Sequence, residues 1–236
     1  MSTSRPTIEA VATNVDIRPL TPDRLPDLAE LFEQGGDPRW CWCAYFRIRG
    51  FDFSKGGRTR HRAAMEAATH ETAREGRAPG LVAYQGDEAV GWISIGPRED
   101  YERLAHSTVL KPFDDKPVWS IVCFVVGRDS RGRGVATRLL EAGIDYAREH
   151  GATLLEAYPL EFADGARVRA ADIFRGTVPM FVRAGFRVVE RRPSRNGPVR
   201  AIVRRAIRPR RGGPATSSVA SQHRRPSTLT RRPPAA

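Results

Sequence analysis

The chain passes through Val118-Trp-Ser-Ile-Val-Cys-Phe-Val-Val126 and, without a break, into Gly127-Arg-Asp-Ser-Arg-Gly-Arg-Gly-Val-Ala136. The first stretch is a long apolar run bounded by turn signals, the pattern of a central strand covered on both faces. The second opens the clearest helix of the sequence, Gly134 to Glu149. Its apolar positions 135/136, 139/140, 143/144 and 147 recur every turn, opposite Arg138, Glu141, Asp145 and Arg148, and Gly151 ends it. A helix start presents N–H donors that have no partner within the helix, together with the positive end of its dipole. Gly132 and Gly134 let the backbone approach a ligand there, and Arg131 and Arg133 add charged donors, so the loop reads as a seat for a phosphate or pyrophosphate. It is not a P-loop, because no Lys-Ser/Thr pair follows the glycines, and it lacks the glycine spacing of a dinucleotide fingerprint.

Outward from this core the elements alternate. Upstream, Val15 to Leu20 reads as a strand. Thr21-Pro22-Asp23 reads as a helix start with a capping hydroxyl, followed by Leu25, Leu28, Ala29 and Phe32 at helical spacing. A turn at Gly35 to Pro38 leads into the aromatic block Trp40-Cys-Trp-Cys-Ala-Tyr-Phe46, and a second helix is expected over Arg58 to Arg74. Leu81 to Tyr84, a Gly86-Asp87 turn and Ala89 to Ile95 form a hairpin. The loop 97–117 holds a helical stretch around Glu99 to His106. Downstream come a strand over Thr153 to Tyr158, a short helix over Thr177 to Ala184, and strands over Phe186 to Glu190 and Val199 to Arg204. The result is a mixed α/β domain over residues 14–207, preceded by a loose arm at 1–13. Residues 208–236, rich in Pro, Ser, Thr, Arg and Gly, have little to bury and are expected to be disordered.

The composition, 236 residues with 40% hydrophobic and 28% charged, suits a globular domain. No run of about 18 apolar residues occurs, so no membrane span is expected. Met1 to Pro6 lacks the apolar core of a secretory signal, which makes a cytoplasmic location the expectation. Cys41, Cys43 and Cys123 read as packed thiols, and neither they nor the histidines show the spacing of a metal site. The net charge is +12, but Arg208, Arg210, Arg211, Arg224, Arg225, Arg231 and Arg232 lie in a tail without acids. Removing those seven leaves +5 for residues 1–207, and no aromatics sit between the tail arginines, so specific nucleic-acid binding is not expected.

The segment from Arg131 through Gly134 to Ala136 resembles the acyl-CoA signature of the GNAT superfamily of N-acetyltransferases, Arg/Gln-x-x-Gly-x-Gly/Ala. Val90 to Ile93 resembles that family's third strand, and Met180 to Phe186 its fourth helix entering the sixth strand. The resemblance spans roughly Val15 to Ile207. It implies an α/β (α+β) fold with a mixed, mostly antiparallel central sheet of about seven strands, flanked by helices and splayed between strands 4 and 5. It also implies acetyl-CoA as cosubstrate, no metal, and transfer of acetyl to a primary amine of a small molecule or peptide by direct attack. Backbone groups of Phe124, Val125 and Val126 would bond the pantetheine arm, and the amides of Arg131, Gly132, Arg133, Gly134, Val135 and Ala136 the pyrophosphate.

Two departures bear on catalysis. The tyrosine that many members use to protonate the leaving thiolate is Phe181 here, and a frequent asparagine seven residues earlier is Phe174. This leaves a catalytically weak acyl-CoA sensor as the alternative. Glu156 and Tyr158, on the fifth strand, are the candidates for catalytic proton transfer, with Ser120 behind them; Cys123 and His106 read as packing and surface residues. The resemblance places the Trp40–Phe46 block at one wall of the acceptor site, where Trp40, Trp42 and Tyr45 would stack on an acceptor or a cation, the alternative being a satellite hydrophobic cluster. The carboxylates of loop 97–117 would suit a cationic amine, and the connection 158–176 would cover the cleft. Neither the acceptor nor the oligomeric state follows from the sequence, and a homodimer is left open.

Overall fold

A computed structural model describes residues 14–107, 109–162, 173–194 and 197–208. The expected arm at 1–13, and the tail beyond its first residue, lie outside the described residues, as do 163–172 of the connection after Tyr158. Among the described residues there are eight strands, β1 (Asp16–Pro19), β2 (Gly80–Gln85), β3 (Glu88–Pro97), β4 (Trp119–Val126), β5 (Leu154–Ala157), β6 (Leu160–Glu161), β7 (Arg187–Ser194) and β8 (Gly197–Ala206). They form one sheet ordered β1-β2-β3-β4-β5-β8-β6, with β7 also pairing β8. Every pairing is antiparallel except β4 with β5. The helices are α1 (Leu25–Glu33), α2 (Asp37–Cys41), α3 (Gly50–Arg74), α4 (Glu102–His106), α5 (Val135–Glu149) and α6 (Val178–Arg183). None of the described helices is long and apolar enough to cross a membrane.

The sheet carries a core on each face. On one, α5 buries Val135, Leu139, Leu140, Ile144 and Ala147 against Ile93, Ile95, Ile121 and Phe124. The close approach needs glycine, since a Cβ at Gly91 would stand 2.8 Å from Val135 Cγ1. On the other face, Leu28, Leu31, Phe32, Trp42 and Met65 pack on Val82, Trp92 and Val122.

One irregularity sets up the site. Ser94 faces Cys123 across β3 and β4 but Ile95 faces Ile121, so Val122 is the extra residue of a β-bulge. The bulge resets the side-chain alternation, which puts Ile121 and Phe124 on the α5 face and Val122, Cys123 and Val125 on the other. The β4–β5 pairing also ends there, being limited to Trp119↔Leu155, Ser120↔Glu156 and Ile121↔Ala157. Beyond it the strands part, and β4 leaves an edge unpaired by β5 from Val122 to Val126.

Several boundaries differ from the sequence expectation. The helix expected at Arg58 is preceded by a short helical segment from Gly50, with the two joined across a left-handed break at Gly57 (φ 65°). Thr21 does not cap a helix with its side chain; Pro22–Arg24 is a 3₁₀ turn, and Arg24 Nη1 donates to the Thr21 hydroxyl at 2.9 Å. The fifth strand is interrupted at Tyr158-Pro159 and resumes as β6, because proline has no N–H for the ladder, while its carbonyl still accepts from Ala201 N–H at 3.1 Å.

Candidate active site

The gap between β4 and β5 opens into a cavity of about 900 Å³. One end is the loop between β4 and α5. Gly132 and Gly134 take left-handed φ values of 74° and 81°, and Gly134 stands at the N-cap of α5 with no side chain capping the helix. Among the described residues, no acceptor takes the N–H groups of Gly132, Gly134, Val135 and Ala136. A Cβ at Gly132 or Gly134 would meet nothing within 4 Å, because both glycines border open space. Arg128 and Arg131 also line this end, and Arg131 Nε donates to the Val126 carbonyl at 3.1 Å. A backbone cradle of this kind fits a pyrophosphate.

The free edge of β4 forms the side. Phe124 N–H points into the gap, where it donates to the Phe174 carbonyl at 2.5 Å. By the alternation of an antiparallel pair, the N–H and C=O of Phe124 and Val126 face the gap and those of Val125 face β3. Of the three residues expected to bond a pantetheine arm, Val125 therefore contributes its side chain to the lining and not its backbone.

Trp40 and Tyr45 line the opposite wall, with Phe53. Trp40 packs edge-on against Phe53 and His61, at centroid distances of 5.0 and 4.6 Å. Buried His61 lies with its ring nitrogens 2.9 Å from the carbonyl oxygens of Trp40 and Phe53, tying α3 to the wall. Trp42 departs from the expectation. Trp42 and Cys43 both take φ 48°, which turns the Trp42 ring inward against Phe32, and it is 1% exposed and outside the cavity lining. Cys43 Sγ and Cys123 Sγ lie 3.0 Å apart beside Phe124. Burial pushes the Cys41 thiol up to about 12, and burial together with the Cys123 thiol raises Cys43 well above the usual thiol range, so neither supplies a thiolate.

Glu156 and Tyr158 are adjacent as expected, but neither borders the cavity. Glu156 is 1% exposed and gives both oxygens away: Oε1 accepts from Arg98 Nη2 and from the Tyr158 hydroxyl, Oε2 from Arg204 Nε, each at 2.6 Å. Arg204 continues to Asp114 through two bonds of 2.7 and 2.9 Å. Burial, then the Glu156 charge, drive the Tyr158 hydroxyl far above its ordinary range, and Ser120 meets it at 3.0 Å. A carboxylate held by two guanidinium groups and a phenol is a structural ion cluster, so the proton-transfer role expected of Glu156 and Tyr158 finds no support in this geometry. Asp100 of the same loop is likewise bound, bidentate, to Arg77.

Asp114, at the rim of that cluster, makes stability depend on acid. The Arg204 hydrogen bonds hold its carboxyl at about 2, below the value near 4 of an unfolded chain. A depressed folded-state value contributes stability that is present above pH 4 and is lost as pH falls toward 2. We therefore expect the unfolding free energies of wild type and Asp114→Asn to differ at pH 6 and to converge between pH 4 and pH 2 in denaturant titrations.

Phe181 is fully buried, with ring centroids 5.1 Å from Phe186 and 6.2 Å from Phe124, and offers no proton. Sequence reasoning missed Arg175, Phe53 and His61. Arg175 lies in a long connection that carries no periodic signal. No three metal-ligating side chains gather among the described residues.

The family model for the Acetyltransferase (GNAT) family matches residues 40–167. Among solved structures, the chain is similar to an acetyltransferase of the GNAT family from Streptococcus pneumoniae, at 15% identity and a TM-score of 0.51, covering 82% of this chain and 99% of that one. It is also similar to a histone acetyltransferase HPA2 and related acetyltransferase from Corynebacterium glutamicum (20% identity, 83% and 98% covered, TM-score 0.49). A third is the PaiA N-acetyltransferase from Thermoplasma acidophilum in complex with coenzyme A (12% identity, 82% and 99% covered, TM-score 0.48). No curated protein matches the chain.

Proposed function

The chain belongs to the acetyltransferase (GNAT) family, and from that premise we propose that it transfers an acetyl group from acetyl-CoA to the primary amine of a small molecule or peptide. The observation that carries this reading is one cavity that joins the loop amides of Gly132, Gly134, Val135 and Ala136, unpartnered among the described residues, to the free edge of β4. Acetyl-CoA supplies the acetyl group, activated as a thioester. Gly132, Gly134, Val135 and Ala136 would hold its pyrophosphate through backbone N–H groups, with Arg128 and Arg131 adding charge. The gap-facing groups of Phe124 and Val126 would pair with the pantetheine arm as an added strand does. The Phe124 N–H is the donor that would polarise the thioester carbonyl, once the Phe174 carbonyl has left it.

The amine then attacks without an acyl-enzyme, since the cysteines beside Phe124 lack an activating base and Cys43 is held protonated. Phe181 cannot protonate the departing sulfur, but a thiol with a pKa of about 8.5 leaves acceptably as its anion. Asp37 is the one carboxylate, and no histidine stands, among the described lining residues. The amine accordingly loses its proton to water. We expect kcat/KM to rise about tenfold per pH unit up to the acceptor's own pKa, and the break to move when an amine of different pKa is used. A break common to both amines near pH 6 to 7 would reveal a base on the protein.

The test of the function is a screen of amines with acetyl-CoA, reading free thiol and the acetylated product by mass. Product formed at a rate proportional to enzyme supports transfer. Acetyl-CoA binding with background thiol release for every amine would instead assign the sensor role, which the missing hydroxyl at Phe181 favours.

A further inference from the structure

Charge is distributed unevenly around the cavity. The buried Glu156 and the half-buried Asp100 and Asp114 nearby are each paired with arginine. Arg175 is the reverse case. It lines the cavity, is 6% exposed, and its Nε has no hydrogen-bond partner. Among the described residues no carboxylate meets it; the rings of Phe174, Phe46 and Tyr45 surround its guanidinium at 4.3, 5.4 and 5.6 Å. A second arginine of the same kind stands close by. Arg200 of β8 has buried, unpartnered Nε and Nη1 atoms, and its charge acts on Arg175. Arg103 also stacks on the Tyr45 ring, at 3.8 Å, and it too meets no carboxylate among the described residues. Burial first, then the Arg200 charge, push the Arg175 guanidinium down to about 10.

A buried guanidinium costs several kcal/mol unless it is paired, and its planar fork matches a carboxylate or phosphate. Stacking on three rings offsets part of that cost but leaves the Nε donor without a partner. We propose that the acceptor carries, besides its amine, an anionic group, carboxylate or phosphate, and that Arg175 binds this group at the cavity wall beside Tyr45, with Arg200 and Arg103 adding positive potential behind it. This rests on the acetyl-transfer reading above. It also departs from the cationic amine that the carboxylates of loop 97–117 suggested, because two of them, Asp100 and Asp114, are paired with arginines of the protein. Arg175 follows directly on Phe174, whose carbonyl holds the Phe124 N–H. An anion on Arg175 therefore sits one residue from the contact that has to open for transfer.

The experiment compares full-length protein on matched acceptors at saturating acetyl-CoA: an α-amino acid against its amide and its decarboxylated amine, and phosphoethanolamine against ethanolamine. The expected result is a kcat/KM about 100-fold higher for at least one anionic member than for its neutral twin, carried mainly by KM. The two pairs separate carboxylate from phosphate. Arg175→Met should collapse that ratio toward one, Arg175→Lys should restore part of it, and the KM for acetyl-CoA should stay within twofold. Should Arg175→Met fail to fold, the wild-type ratio and the Arg175→Lys variant still decide. Equal or better acetylation of the neutral members overturns this proposal and leaves the transfer reading standing. Transfer to no amine at all overturns both.

Discussion

We expect Gly134→Glu to abolish acetyl-CoA binding in a protein that still folds. Gly134 adopts φ 81°, so any side chain there costs about 1–2 kcal/mol of backbone strain. Its Cβ vector points into open space, so the protein itself does not clash. The carboxylate would instead stand among the N–H groups of Gly132, Val135 and Ala136, take the place of a phosphate and repel what remained of it. We expect at least a 100-fold rise in Kd, about 2.7 kcal/mol. Wild type at 100 times its Kd of acetyl-CoA gains about 2.7 kcal/mol of stability, and the variant gains none. Gly86→Glu is the matched control, since Gly86 sits at φ 62° with open space around it in the β2–β3 turn, outside the cavity. It should lose stability to strain but keep acetyl-CoA affinity. If the two variants bind acetyl-CoA alike, the loop is not the phosphate seat.

The second large effect is on stability. Glu156→Gln keeps the side-chain volume but leaves Arg98 and Arg204 facing a neutral amide, whose NH₂ must point at one of them. Both guanidinium groups are largely buried, with side-chain exposures of 11% and 7%. Removing one partner of a buried pair costs about 3–5 kcal/mol, because the remaining charge is left uncompensated. For a chain of this size that is a fall in Tm of roughly 6–20 °C. At a temperature where the variant is folded, kcat should stay within tenfold of wild type, because Glu156 does not border the cavity. A kcat lowered 100-fold or more with Tm unchanged would restore Glu156 as a proton-transfer residue.

What could be read in the sequence follows from where physical periodicity lies. Strand 118–126, helix 134–149 and the glycine-arginine loop between them were legible, because burial on two faces and then on one stripe leaves different patterns. The bulge at Val122 was not, since an unbroken apolar run looks the same in either register. Trp40 and Trp42 look equivalent in sequence. Only the left-handed turn at Trp42 and Cys43, taken by two residues that rarely adopt it, sends one to the cavity and the other to the core. Glu156 was visible as a polar residue in an apolar strand. Its partners were not, because Arg98 and Arg204 lie 58 and 48 residues away. Arg175 sits in a stretch without regular period, and that no carboxylate meets it among the described residues is a tertiary fact.

Acetyl-CoA seated on the β4–α5 loop and along the edge of β4 would shield the backbone amides there. Amide hydrogen exchange, followed by mass spectrometry with and without acetyl-CoA, tests this directly. The account predicts slowed exchange in peptides covering 131–138 and 122–126, with the β2–β3 turn at Gly86 unchanged. Exchange unaltered in both segments at saturating acetyl-CoA, or protection confined to other parts of the sheet, would contradict it.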